Sequence, residues 1–366
     1  MKLLIRPAPE VAIKSKPVRR QQMRHLRQNI RKLLARLDPE IRVDGSWDRV
    51  DVEVPDGRGL SGPVLEALLR IPGISTIQEI GAFPFVSLDD VANKAVEAFA
   101  GRLKGKTFAV RARRHGEHNF RSIDLERTVG GALMQASEAR GVDLKSPQVE
   151  VRIEVHDDQF HIAHRKHRGL GGYPLGSVEN VLTLISGGYD SSVAAYLMMR
   201  RGLRNHFLFF NLGGAAHEVG VRQVVHYLWH RYGASHSAKF ISVPFEGVVA
   251  EIMRSVSHRH WGVVLKRQML MAAAEIAKKN NASGVVTGDA VAQVSSQTLS
   301  NLNVVDRASD EVVLRPLVSM DKESIIRIAR EIGTEVYARN MPEYCGVISQ
   351  KPATRAKLHR VEEDEA

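Results

Sequence analysis

A sequence of 366 residues, at roughly 150 per domain, has room for two or three domains, and 43% apolar with 25% charged residues is an ordinary globular composition. No run approaches the ~18 apolar residues of a bilayer helix, which argues against an integral-membrane protein, and one cysteine, Cys345, rules out an internal disulfide framework and a Cys-rich zinc site and fits a reducing cytoplasm. Fifty-two Lys+Arg against 41 Asp+Glu leave +11, and a surplus of ten falls in residues 1–36, where eleven basic residues face only Glu10, so a phosphate-bearing partner is expected.

In chain order, residues 2–6 read as a strand. From Pro17 onward Met23, Leu26, Ile30, Leu33, Leu34 and Leu37 recur every three or four residues. That spacing predicts an amphipathic helix with Pro17 in its first turn and Arg20, Arg24, Arg27 and Arg31 on the other side, facing phosphate. Residues 50–54 alternate at period two, so residues 1–60 form a small α+β unit. A second unit, 61–166, is expected to hold a helix over 64–70, a strand over 107–113, a helix near 125–140 and an alternating strand over 149–155. Gly169, Gly171, Gly172, Pro174 and Gly176 make 167–176 the linker. Beyond it, over 177–360, continuous apolar strands at 181–185, 206–210, 240–243 and 284–287 alternate with helices at 192–200, 219–232, 264–279 and 322–332. This is the pattern of a parallel α/β sheet covered on both faces. Residues 361–366 read as a frayed acidic tail.

Two candidate sites fall away on spacing. Gly105-Lys106-Thr107 has the end of a Walker loop, but Ala100 stands where glycine is required and a strand follows, so it is a turn. His156, His161, His164 and His167, with His115 and His118, have no cysteine and no clear carboxylate set to complete a metal site, and read as structural or phosphate-facing.

The segment Ser186-Gly187-Gly188-Tyr189-Asp190-Ser191 stands directly after an apolar strand and before a helix. Paired glycines permit a tight turn, and the amides of the following helix terminus can cradle phosphate. An acid in such a loop is unfavourable unless a cation screens it, so Asp190 is expected to work on a Mg²⁺-pyrophosphate unit.

This SGG-x-DS loop resembles the PP-loop of the ATP pyrophosphatases, which split ATP between its α and β phosphates. Taken with Leu265-Lys266-Arg267, Thr287-Gly288-Asp289, Ser296-Gln297-Thr298 and Pro342-Glu343-Tyr344-Cys345-Gly346, the whole chain resembles the tRNA 4-thiouridine synthetase (tRNA sulfurtransferase) family. The amino-terminal half agrees, since Arg70-Ile71-Pro72-Gly73 and Val110-Arg111-Ala112-Arg113-Arg114 resemble that family's ferredoxin-like and THUMP domains. The implied architecture is an α/β PP-loop domain preceded by α+β ferredoxin-like and THUMP domains.

The resemblance implies that Leu184, Ile185, Lys266, Gly288 and Gln297 join the loop in holding ATP, that Arg111, Arg113 and Arg114 join the amino-terminal arginines on tRNA, and that Cys345 resolves a persulfide. Physically, Lys266 can supply fixed charge to phosphate, and Gln297 can donate to or accept from a base or ribose. The implied activity is ATP-dependent conversion of the tRNA uridine at position 8 to 4-thiouridine, with sulfur relay to the thiamine thiazole as a second role. The implied partners are tRNA, a cysteine desulfurase or other persulfide donor, a separate rhodanese and a second copy of the chain, with no membrane. Two departures stand out. Val291-Ala292-Gln293 replaces the family's usual Leu-Gly before the glutamine, and the sequence reaches Ala366 without the rhodanese domain of many full-length members. It is therefore either a truncated form or a short member that receives sulfur from elsewhere. The alternatives are a PP-loop enzyme acting on another tRNA base or a small-molecule carbonyl, which would not need the basic block, and a tRNA-binding protein without catalysis, which would need damage in the loop or at Lys266.

Overall fold

The computed structural model describes residues 1–55, 59–341 and 351–366. The chain divides into two compact units, one of Met1–Met23, Ile30–Leu69 and Ile74–Leu170, the other of Arg24–Asn29, Arg70–Gly73 and Gly171–Ala366.

In the first unit the described strands are β1 (Lys2–Pro7), β2 (Arg42–Gly45), β3 (Val50–Glu53), β4 (Ile74–Pro84), β5 (Thr107–His115), β6 (Gly141–Val142), β7 (Val149–His156) and β8 (Gln159–Arg168). They form one sheet in the order β2-β3-β1-β4-β8-β7-β5-β6. The two small units read from the sequence thus share a sheet, and the strand that joins them is β4, antiparallel to both β1 and β8. Its isoleucines at 74, 77 and 80 are three apart, a spacing that hides a strand; a register shift against Arg6/Pro7 lets Ile74 and Ile77 both be buried, whereas Ile80, an odd number of residues on, is only half-buried. The helices Leu88–Phe99 and Ser122–Ala136 bury Val91, Phe99, Leu125 and Leu133 together with Phe108, Val110, Val151 and Ile153 of the sheet.

Two helix ends differ from expectation. The helix Lys16–Leu34 buries Met23, Leu26, Ile30 and Leu34 but stops there, so Leu37 lies past its end and is 41% exposed. The helix expected to reach residue 140 ends at Ala136, because Ser137 is extended.

In the second unit β9 (Asn180–Leu184), β10 (Arg204–Asn211), β11 (Phe240–Pro244), β12 (Val285–Val286) and β13 (Val313–Leu314) make an all-parallel sheet, ordered β11-β10-β9-β12-β13. Apolar residues of β9, β10 and β12 pack on the helix Trp261–Lys279 through Leu182, Leu208, Val285, Leu270 and Ala273. Strand β9 is central. The chain moves from it to β10 on one side and returns to β12 on the other, so the sheet's topological switch lies beside the carboxyl end of β9, where open α/β sheets bind ligands. The helix expected over 219–232 begins at Gly214 and gives way at Trp229 to a π turn.

The acidic end is not frayed. Leu358–Glu365 is a helix with Val361 fully buried, Arg267 Nε donates to both Glu365 carboxylate oxygens at 2.9 and 3.0 Å, and His260 Nδ1 lies 2.7 Å from Asp364 Oδ2. Asp364 and Glu365 are thus fastened to the half-buried His260 and the buried Arg267, which charge patterning along the sequence does not disclose.

Candidate active site

Strand β9 ends at Leu184, half-buried, and Ile185, whose amide continues the ladder by donating to Leu208 O at 2.9 Å. The next residues turn sharply, with Gly187 at φ +83°, and a Cβ there would meet the Met341 methyl and Val221. Gly188 caps the helix Tyr189–Arg200 without any side-chain hydrogen bond. Neither Asp190 nor Ser191 is spent as a cap, so the first amides of that helix carry no side-chain capping hydrogen bond, although the Asp190 carboxylate stands in the same turn. Ser191 instead closes the loop on itself, its Oγ lying 3.2 Å from both Ser186 N and Ser186 Oγ.

Asp190 is held from two sides. Lys322 Nζ lies 2.9 and 3.0 Å from its two carboxylate oxygens, and Gln293 Nε2 donates to Oδ2 at 2.9 Å. Motif and spacing do not single out Lys322. A cation in the first turn of a helix opposes the dipole, and that misplacement is the signal the sequence offers. Gln293 is aimed by its neighbour, for Ala292 sits at φ +64°. A non-glycine residue there costs about 1 kcal/mol, which gives the departure expected at Ala292 a conformational meaning.

Gly288 brings a second strand end against the loop. A Cβ on it would stand 2.9 Å from the Asp190 carbonyl carbon and 2.9 Å from Ser191 N, so only glycine permits this approach. The following residue, Asp289, is a site residue that sequence reasoning missed, although it completes the Thr-Gly-Asp motif. It is 8% exposed, and its Oδ1 accepts from Lys266 Nζ at 2.6 Å and Gln297 Nε2 at 3.0 Å. Its Oδ2 accepts from Thr287 Oγ1 at 2.8 Å and has Arg315 Nε at 3.5 Å. Burial alone would push this carboxyl up. The Lys266 ammonium, hydrogen bonds from Lys266 and Thr287, and the Arg315 charge outweigh burial and hold it at about 2. Arg315 follows β13, a strand of two residues too short to be seen as a pattern, and it also pairs with Asp306.

The loop, Lys266, Gly288 and Gln297 thus meet at one end of the sheet. Cys345 lies outside the described residues. Of the candidate tRNA residues, Arg20, Arg24 and Arg31 are exposed and Arg27 half-buried, and Arg31 donates to Val43 O at 2.8 Å. Arg111 and Arg113 share one face of β5, whereas Arg114 is on the other, over the Phe120 ring at 5.6 Å. In the same sheet His115 stacks on His156 at 4.4 Å and His167 Nε2 lies 2.6 Å from Glu79 Oε1.

Comparison with known proteins matches this organisation along the whole chain. The family described as thiamine biosynthesis protein (ThiI) matches residues 176–366, a THUMP domain 85–165, and a ThiI ferredoxin-like domain 2–77. The chain is 83% identical to a tRNA sulfurtransferase of Marinobacter nauticus and 52% identical to one of Pseudomonas aeruginosa, in each case over all of this chain and 76% of the relative. A solved 4-thiouridine synthetase, in complex with RNA and bound ATP, shares the fold with a TM-score of 0.77 at 24% identity, over 100% of this chain and 94% of that one. With a PP-loop built at the switch point of a parallel sheet and relatives matching from the first residue to the last, this chain belongs to the ThiI family of tRNA sulfurtransferases.

Proposed function

We propose that this protein uses ATP to convert the uridine at position 8 of tRNA to 4-thiouridine. The observation that carries the reading is the uncapped Ser186–Ser191 loop, flanked by the ammonium groups of Lys322 and Lys266, in a chain of this family. The uridine C4 oxygen attacks the α-phosphorus of ATP, and pyrophosphate leaves with the electrons of the broken P–O bond. The terminal sulfur of a persulfide then attacks C4, and AMP leaves carrying the former C4 oxygen. Cys345, from its sequence setting, attacks the remaining S–S bond. The base keeps C4=S, and the resulting disulfide between Cys345 and the sulfur carrier needs a thiol reductant before the next turnover.

The chain's part in activation is electrostatic: loop amides, Lys322 and Lys266 hold phosphate oxygens where negative charge develops. Among the described residues no three His, Cys, Asp or Glu cluster as a metal site, and a lone Asp190 fits Mg²⁺ when phosphates and water supply most of its ligands. Mg²⁺ brought with ATP supplies neutralisation of the phosphate charge, and Asp190 would be its protein ligand. A cysteine desulfurase or a rhodanese would deliver the sulfur, and a second copy of the chain is a further proposed partner. No helix among the described residues is long and apolar enough to cross a membrane, and a tRNA-directed role belongs in the cytoplasm. Sulfur relay toward the thiamine thiazole rests on family resemblance alone.

The test is incubation with ATP, Mg²⁺, a cysteine desulfurase and unmodified tRNA. The near-ultraviolet absorbance of 4-thiouridine should appear and should vanish when the tRNA carries cytidine at position 8. Unchanged absorbance with that tRNA would move the reaction to another base. The RNA surface has its own measurement. Replacing the exposed Arg20 and Arg24 with glutamine should weaken binding to all tRNAs and flatten the salt dependence, by roughly 0.7 to 0.9 for each phosphate no longer neutralised. An unchanged slope would place the phosphate-binding surface elsewhere.

A further inference from the structure

Asp289 binds two residues expected at the nucleotide, Lys266 and Gln297, through a single oxygen. An ionised carboxylate only accepts hydrogen bonds, so the Gln297 amide has one orientation open to it, with Nε2 toward Asp289. The other end of that planar group, Oε1, is buried without a hydrogen-bond partner among the described residues, and Gln297 is 8% exposed overall. Buried amide oxygens are rarely left unsatisfied in folded proteins, and an exception calls for an explanation. The position is informative, because Gly288, next to Asp289, abuts the backbone of Asp190 and Ser191 in the phosphate loop.

We propose that Asp289 is a positioning residue for nucleotide selection, which by engaging Lys266 and Gln297 together turns Gln297 Oε1 into a fixed acceptor for an N–H or O–H of the bound nucleotide. This rests on the reading of the site as an ATP site and deepens it. Without Asp289, the amide of Gln297 could turn over and offer a donor as readily as an acceptor. With it, a ligand carrying a carbonyl, or nothing, at that point leaves Oε1 unsatisfied. A site built around a hydrogen bond rejects such a ligand far better than an apolar pocket rejects a small change of shape. Lys266 spends one of its three hydrogens on the same carboxylate and keeps two for phosphate.

The donor belongs either to the adenine amine or to a ribose hydroxyl, and the test separates them. Affinities of the full chain for ATP, inosine triphosphate, 2′-deoxy-ATP and 3′-deoxy-ATP would be measured by calorimetry. Wild type should bind one of the three analogues at least about tenfold more weakly than ATP. That preference should shrink to within about twofold in Gln297→Met and in Asp289→Asn, whose amide can donate to Oε1 and release the orientation. If Asp289→Asn does not fold, judged by circular dichroism, Thr287→Val removes one donor from the same carboxylate and should shrink the preference in the same direction. A preference kept intact in Gln297→Met, or in the folded Asp289 or Thr287 variant, overturns the proposal. So does a wild type that binds all four nucleotides alike, an outcome that leaves the ATP reading standing. A wild type that binds no ATP at all removes that reading and the proposal with it.

Discussion

Asp190→Ala and Lys322→Met should each slow tRNA-dependent pyrophosphate release by about a hundredfold or more while leaving tRNA affinity within about twofold. That is the scale on which removal of one preorganised electrostatic interaction is felt in a transition state. The two side chains face each other at 2.9 and 3.0 Å, but Lys322 is 41% and Asp190 26% exposed, and an ion pair so open to water adds little to stability. Their worth therefore lies in what they do to phosphate. If the pair were only a structural clasp, exchanging the charges as Asp190→Lys with Lys322→Asp would restore activity. If each has its own place in the site, the exchanged protein folds, keeps its tRNA affinity and stays inactive. Pyrophosphate release near the wild-type rate in Asp190→Ala would remove the loop from the chemistry.

Much of this site was legible along the chain, and what escaped has a common cause. Ser186 to Ser191 is a local motif, with strand, paired glycines and helix in sequence, and the structure builds it so. Lys322, Asp289 and Arg315 act through partners on other strands and helices, and Asp190 meets Lys322 across 132 positions. Such meetings follow from the strand order β11-β10-β9-β12-β13, which periodicity does not contain. The last helix escaped for a related reason: an acidic run looks solvated until Arg267 and His260 are placed beneath it. Strand β4 escaped because its isoleucines fall three apart, and the register shift that lets Ile74 and Ile77 both be buried is set by its pairing with β1. The departure at Ala292 could be noticed in the sequence, but its left-handed backbone could not.

Activation and sulfur delivery should fail independently, and Cys345→Ser should separate them. Adenylation needs ATP, Mg²⁺ and the C4 oxygen, whereas delivery needs a sulfur nucleophile brought within attack distance of C4 and a thiol to break the remaining S–S bond. Cys345 is the only cysteine among these 366 residues, so no other side chain among them can take its place. It lies outside the described residues, four positions after Met341, whose thioether methyl lies over Gly187 of the loop. Serine nearly keeps the size but cannot attack a disulfide, so Cys345→Ser should release pyrophosphate with tRNA at close to the wild-type rate. With a desulfurase as donor it should form thiouridine at least about a hundredfold more slowly. Inorganic sulfide should bypass the defect, since it leaves no S–S bond to resolve. If Cys345→Ser thiolated tRNA as well as wild type in the desulfurase-driven reaction, the thiol would be only a small side chain, and the resolving step would belong to the carrier or to an added reductant.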